Sequence, residues 1–149
     1  MLFEGIAAFF ATIGFGFLFK VPRNRLVIVG LVGMCGGICY KLAIHYETSE
    51  PFALFLGAII VSLLSEILAR KLKTPVTIFL ACALIPLVPG GGLYYTMLDV
   101  VEHNFELATI TFINTIINAI AIVIGCTFIS SFVHTIIVLN RGFKAKHTR

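Results

Sequence analysis

Twenty-three consecutive residues, Val76 to Leu98, carry no charged side chain, yet they contain Pro86, Pro89 and the triplet Gly90, Gly91 and Gly92. An apolar stretch of that length reads as a membrane-spanning helix. A regular helix cannot run through it, because each proline removes a backbone donor and clashes with the preceding turn, while three glycines tolerate positive φ. Pro86 falls about 15 Å into the run at helical rise, half of a hydrocarbon core of roughly 30 Å. The expectation is a broken helix at the bilayer midplane. Its unpaired carbonyls before Pro86 and unpaired N–H groups at Gly90 to Gly92 are tolerable only in protein or against a wet cavity. Transporters bind their solutes at such breaks.

The rest of the chain has the same solvent preference. Of its 149 residues 59% are hydrophobic and 12% charged, against about 25% charged in soluble domains, and the mean hydropathy is +1.05. The fold class is therefore all-α and polytopic: one transmembrane domain, residues 1–149, with about five spans near 3–19, 26–44, 52–69, 76–98 and 107–139, the fourth broken. The fifth run, about 50 Å if helical throughout, is too long for one upright crossing, so it projects beyond the bilayer or tilts strongly. The opening Met-Leu-Phe-Glu4 has no basic n-region, so the first span is expected to stay in the mature protein.

Charge sets the orientation. Ten of the eleven basic residues lie in alternate connections: Lys20, Arg23 and Arg25, then Arg70, Lys71 and Lys73, then Arg141, Lys144, Lys146 and Arg149. By the positive-inside rule these are cytoplasmic, with the N-terminus outside and the C-terminus inside. The other side holds Glu4, Glu47, Glu50, Asp99, Glu102 and Glu106 with Lys41 alone. The fourth run must then cross fully, break included. The basic residues form no face with interleaved aromatics, so nucleic acid is not a partner.

Other features divide between packing and chemistry. Gly33 and Gly37 form a Gly-x-x-x-Gly pair suited to close helix approach, within the chain or against a partner. Thr111, Asn114, Asn118, Ala121 and Gly125 recur at spacings of three and four, a polar stripe that serves as interhelical glue or lines a solute path. Glu66 stands four before Arg70, the favourable order for a helical ion pair. Asp99 follows the fourth run at its outer mouth, within reach of water, so no ionisable group lies at mid-depth to couple protons. Cys35, Cys39, Cys82 and Cys126 lack ligand spacing and read as small buried apolar residues, with no metal or cofactor implied. There is no Gly-x-Ser-x-Gly, no His-Glu-x-x-His and no phosphate-cradling loop, so no enzyme constellation is visible.

Three stretches together resemble the threonine/serine exporter (ThrE) family in its small-subunit, YjjB-like branch: Gly14 to Pro22 (Gly-Phe-Gly-Phe-Leu-Phe-Lys-Val-Pro), Ile85 to Tyr94, and Asn114 with Asn118. The resemblance implies a multi-span subunit of the cytoplasmic membrane that works with a larger subunit to export small amino acids or dicarboxylates, threonine, serine and succinate among them. The family's larger or fused members carry a soluble region that this sequence lacks.

On the residues themselves, the N–H groups of Gly90, Gly91 and Gly92 at a half-helix N-terminus are placed to receive a substrate carboxylate. Carbonyls freed before Pro86 are placed for an ammonium or a coupling ion. The candidate site is Pro86, Pro89, Gly90, Gly91, Gly92, Tyr94, Tyr95, Asn114 and Asn118. The alternative is a non-transporting scaffold or assembly subunit, in which the break is architectural.

Overall fold

The computed structural model describes residues 2–146, with side chains over 3–136. Six α-helices follow one another: α1 (Leu2–Leu18), α2 (Arg23–His45), α3 (Glu50–Lys71), α4 (Val76–Leu84), α5 (Gly90–Val101) and α6 (Phe105–Lys146), with a 3-10 turn at Ile85–Leu87 between α4 and α5. Three helices are long and apolar enough to span a membrane, over Arg23–His45, Glu50–Lys71 and Phe105–Ile136. The bent pair Val76–Leu87 and Gly90–Val101 passes the same test when taken as one broken span, which makes up to four, and α1, expected as a fifth, is a shorter apolar helix packed on α2.

Four of the connections are built alike. Lys20, Glu47, Lys73 and His103 each take positive φ, from 50° to 62°. After each, an N–H reaches back five residues: Val21 to Gly16, Thr48 to Ala43, Thr74 to Ala69 and Asn104 to Asp99. These are Schellman stops, which occupy carbonyls that the helix end would otherwise orphan. Arg25 donates to the Thr74 hydroxyl and to the Leu72 carbonyl at 3.2 Å, tying two of these turns together at the basic end of the bundle. The opposite end carries the Lys41–Glu4 ion pair at 2.9 Å.

α3 is the central helix, packed against α2, α4 and α6. Its buried face is small: Ala53, Ala58, Ser62 and Ser65 are fully enclosed and Gly57 lies among them. Between lipid-exposed helices apolar burial offers little driving force, so close backbone approach of this kind holds the bundle together. Gly36 of α2 meets Val61 and the carbonyl of Gly57, and Gly125 of α6 meets the Phe55 carbonyl and Ala58. Gly33 and Gly37 do not wait for a partner protein: Gly33 receives Thr12 and Gly37 receives Ala8, both from α1. The cysteines follow expectation only in part, Cys82 being buried, Cys39 and Cys126 half-buried and Cys35 exposed.

The break is displaced from the centre. Leu87 packs between Gly36 and Gly57, about 21 Å along α3 from Lys71 and about 10 Å from Glu50. α5 then leaves at 47° and packs along α6. The long fifth run is a single uninterrupted helix through Lys146. Because Gly125 lies beside Phe55 and Ala58, and Glu50 shares a cavity with Asn114 and Asn118, the first turns of α6 extend about 15–20 Å past the start of α3. With α5 they form an antiparallel hairpin projecting from the bundle. Asp99, expected in water, is buried in this hairpin and accepts a 3.3 Å hydrogen bond from Thr111. The side chains of Arg141, Lys144, Lys146 and Arg149 lie outside the described residues.

Candidate functional site

The Pro86 to Gly92 segment bends for reasons its own atoms supply. Pro86 has no N–H for the carbonyl of Cys82, so the helix tightens into the 3-10 turn, closed by the Val88 N–H on Ile85 at 3.1 Å. Val88 is extended (φ −61°, ψ 131°), Pro89 follows at φ −74°, ψ 60°, and Gly90 opens α5. None of the described glycines takes positive φ. The tolerance of the triplet for positive φ is thus unused: the glycines are ordinary first-turn helical residues whose value is the absent side chain.

That absence has two uses. A Cβ on Gly92 would run into Thr115 Oγ1, so Gly92 lets α5 and α6 touch. A Cβ on Gly90 or Gly91 would meet nothing within 4 Å. The Gly90 N–H turns back to Val88 at 2.7 Å, and Leu93 returns to Pro89, whereas no backbone acceptor takes Gly91 or Gly92. Two open donors with the positive end of α5 behind them border a cavity of about 320 Å³.

Pro89, the three glycines, Asn114 and Asn118 line this cavity together, as the sequence led us to expect, and Val88, Glu50, Thr111 and Thr115 join them. Asn118 is 6% exposed, lines the cavity wall and makes no hydrogen bond with any described residue, so its carboxamide is uncommitted. Thr115 is also buried, its hydroxyl held on the Thr111 carbonyl at 2.7 Å. Glu50, the first residue of α3, sets a carboxylate at the exposed rim.

Three expected members are elsewhere. Pro86 shapes the 3-10 turn without reaching the cavity. Tyr94 and Tyr95 are exposed, stacked edge to face at 5.5 Å on the outside of α5. Of the residues missed, Thr115 had a signal, since Thr111, Asn114, Thr115 and Asn118 form an i, i+3, i+4, i+7 set. Glu50 had none, because the register of α3 against α6 places it. The expected Glu66–Arg70 ion pair forms at 2.9 Å, at the basic end of α3.

The site combines anion-accepting N–H groups, neutral amides and hydroxyls, and one carboxylate. Such a set suits a small polar solute carrying charges of both signs. Among the described residues no group of His, Cys, Asp or Glu could hold a metal ion.

A protein of Haemophilus influenzae described as uncharacterized is 27% identical over 133 residues, covering 84% of this chain and 45% of its own. The chain thus spans a little under half the length of that relative. No solved structure matches. Residues 4–132 match the family described as Threonine/Serine exporter, ThrE. With that match over most of its length, the chain belongs to the threonine/serine exporter family of membrane transporters.

Proposed function

We propose that the chain is the membrane subunit of a secondary transporter that exports small zwitterionic amino acids, threonine and serine in type, together with a larger partner subunit in the cytoplasmic membrane. The carrying observation is one cavity lined together by Gly91 and Gly92, whose N–H groups have no backbone acceptor, by Asn118, whose carboxamide makes no hydrogen bond with a described residue, and by Glu50. The substrate carboxylate takes the N–H groups, where the helix end favours negative charge. Its ammonium is drawn to Glu50, and Asn114, Asn118 and Thr115 surround the side chain. A dicarboxylate such as succinate presents a second anion to Glu50, which makes it the poorer ligand. The basic turns face the cytoplasm and the Glu50 end faces out.

A larger partner is supported by the bent α4–α5 pair being the one broken span among the described residues, where alternating access generally uses two related repeats. In the Haemophilus relative the matched segment is likewise a minority of a longer chain. The reading is tested by threonine and succinate flux in liposomes, with the chain alone and with its larger subunit. Threonine flux is expected only from the assembly, and Gly91→Leu should abolish it at near-normal membrane abundance. Flux from the chain alone, or wild-type flux in an abundant Gly91→Leu protein, contradicts the reading. A scaffold role predicts that every cavity substitution is silent while the assembly stays intact.

A further inference from the structure

A second polar cavity lies at the other end of the α3–α6 pair. It measures about 630 Å³, and its lining is Glu66, Arg70, Ser130, Ser131, His134 and Thr135. A groove of about 420 Å³ adjoins it, sharing Ser131 and Thr135 and continuing toward the middle of the bundle past Phe132, Phe128 and Ile124. The two form one shallow, open amphipathic channel on the flank of the bundle, polar at the basic end and apolar beyond, where α6 alone lines it.

We propose that this channel binds an anionic phospholipid of the leaflet on the Arg70 side, its phosphate in the polar cavity and an acyl chain in the groove. Arg70 stands in the last turn of α3 beside Lys71, at the level of the basic turns. Glu66, 8% exposed, holds one guanidinium nitrogen at 2.9 Å, and the remaining N–H groups of the planar fork stay available to phosphate oxygens. His134 and the Ser130 and Ser131 hydroxyls add donors. The Glu66 carboxylate fixes the guanidinium rather than cancelling it, because an arginine can serve a carboxylate and a phosphate through different edges.

Depth supports a lipid over a free anion. From Phe132 to Ile124 the groove runs about 12 Å along α6, close to the roughly 15 Å of one leaflet's hydrocarbon. Phe128 and Phe132, 61% and 59% exposed, are the apolar walls against which a chain can lie. On a helix otherwise apolar at this depth, the Thr135 hydroxyl is held on the Ser131 carbonyl at 2.9 Å, whereas exposed Ser131 and His134 make no side-chain hydrogen bond with a described residue, and a headgroup supplies a polar neighbour. Basic pockets between spans on this side are known sites for acidic headgroups. The proposal rests on the membrane-spanning reading and not on what is transported.

The test is native mass spectrometry of the purified chain in detergent with equimolar dioleoyl phosphatidylglycerol and dioleoyl phosphatidylcholine. The expected preference for phosphatidylglycerol is about fivefold for each cationic group engaged. Ser131→Phe fills the junction of cavity and groove from an exposed position, and with His134→Ala it should bring the preference close to one. Arg70→Gln should do the same, and the two other variants cover the case in which loss of the Glu66 partner disturbs the fold. Millimolar glycerol 3-phosphate, which has no acyl chain, should leave the adduct in place. Equal binding of the two lipids, an undiminished preference in Ser131→Phe, or displacement by glycerol 3-phosphate would overturn the proposal. Transport is not read in any of these measurements, so their outcome is separate from that of the solute site.

Discussion

At the scale of the residue, three neighbouring glycines do two different things. Gly92 is pressed on Thr115, while Gly90 and Gly91 border open space. Gly92→Ala should therefore destabilise the protein by about 1–3 kcal/mol through overpacking, and Gly91→Ala should leave thermal stability within about 0.5 kcal/mol. Thr115→Ala in the Gly92→Ala background should restore part of the loss, because the colliding hydroxyl is gone. A thermal-shift cycle over the four proteins measures that coupling, and additive effects would remove the contact from the account. The cavity was legible in Pro89, the glycines and the two asparagines because their chemistry acts on their own backbone or helix face. Tyr94 and Tyr95 were misplaced by reading adjacency as proximity: α5 turns Gly92 and Asp99 to α6, seven residues apart, and carries the tyrosines outward. Glu66 and Asp99 are both buried but committed, one to Arg70 and the other to Thr111. If the assembled transporter is proton-driven, Glu66→Gln and Asp99→Asn should lower flux modestly while its dependence on the pH gradient survives. Uncoupled exchange in either variant would make that residue the proton carrier.

At the scale of the element, the four Schellman stops explain how short connections reverse long helices. Each places a residue with a Cβ in the left-handed region, at a cost of about 1–2 kcal/mol. Glu47→Gly should therefore raise stability by about 0.5–1 kcal/mol, the relief exceeding glycine's added entropy. An unchanged or lowered melting temperature would contradict the strain. These stops carry no sequence signal of their own, since lysine, glutamate and histidine stand where glycine is usual, and only the following Pro22 and Pro75 hint at the ends of α1 and α3. The break in the fourth span, by contrast, was legible because proline chemistry is local. Its height was not, because depth counted from Val76 ignores where the neighbouring helices begin, and Leu87 follows the gaps left by Gly36 and Gly57. The helix that organises the packing, α3, was overlooked because alanine and serine at close-approach positions look unremarkable beside Gly-x-x-x-Gly.

At the scale of the whole molecule, five apolar runs, one of them broken, fold as a helical bundle, and the segregation of basic and acidic turns predicts which side of the membrane each end faces. Single cysteines at Lys71 and at Glu50, in a background without the four native cysteines, should separate in intact cells: an impermeant thiol reagent reaches position 50 and not position 71. Labelling at 71 from outside would reverse the orientation. The projecting α5–α6 hairpin keeps Leu107, Ile110 and Ile113 exposed beyond the start of α3, where a second transmembrane subunit has room to pack. The central claim is that solute sits at the break, against Gly91 and across from Asn118. Its most direct test is modification of Gly91→Cys, in that cysteine-free background and assembled with the larger subunit, with Tyr94→Cys on the outer face of α5 as reference. Saturating threonine should slow modification at position 91 several-fold while leaving position 94 unchanged, and succinate should protect far less. Equal rates at position 91 with and without threonine, or equal protection at both positions, would contradict the account.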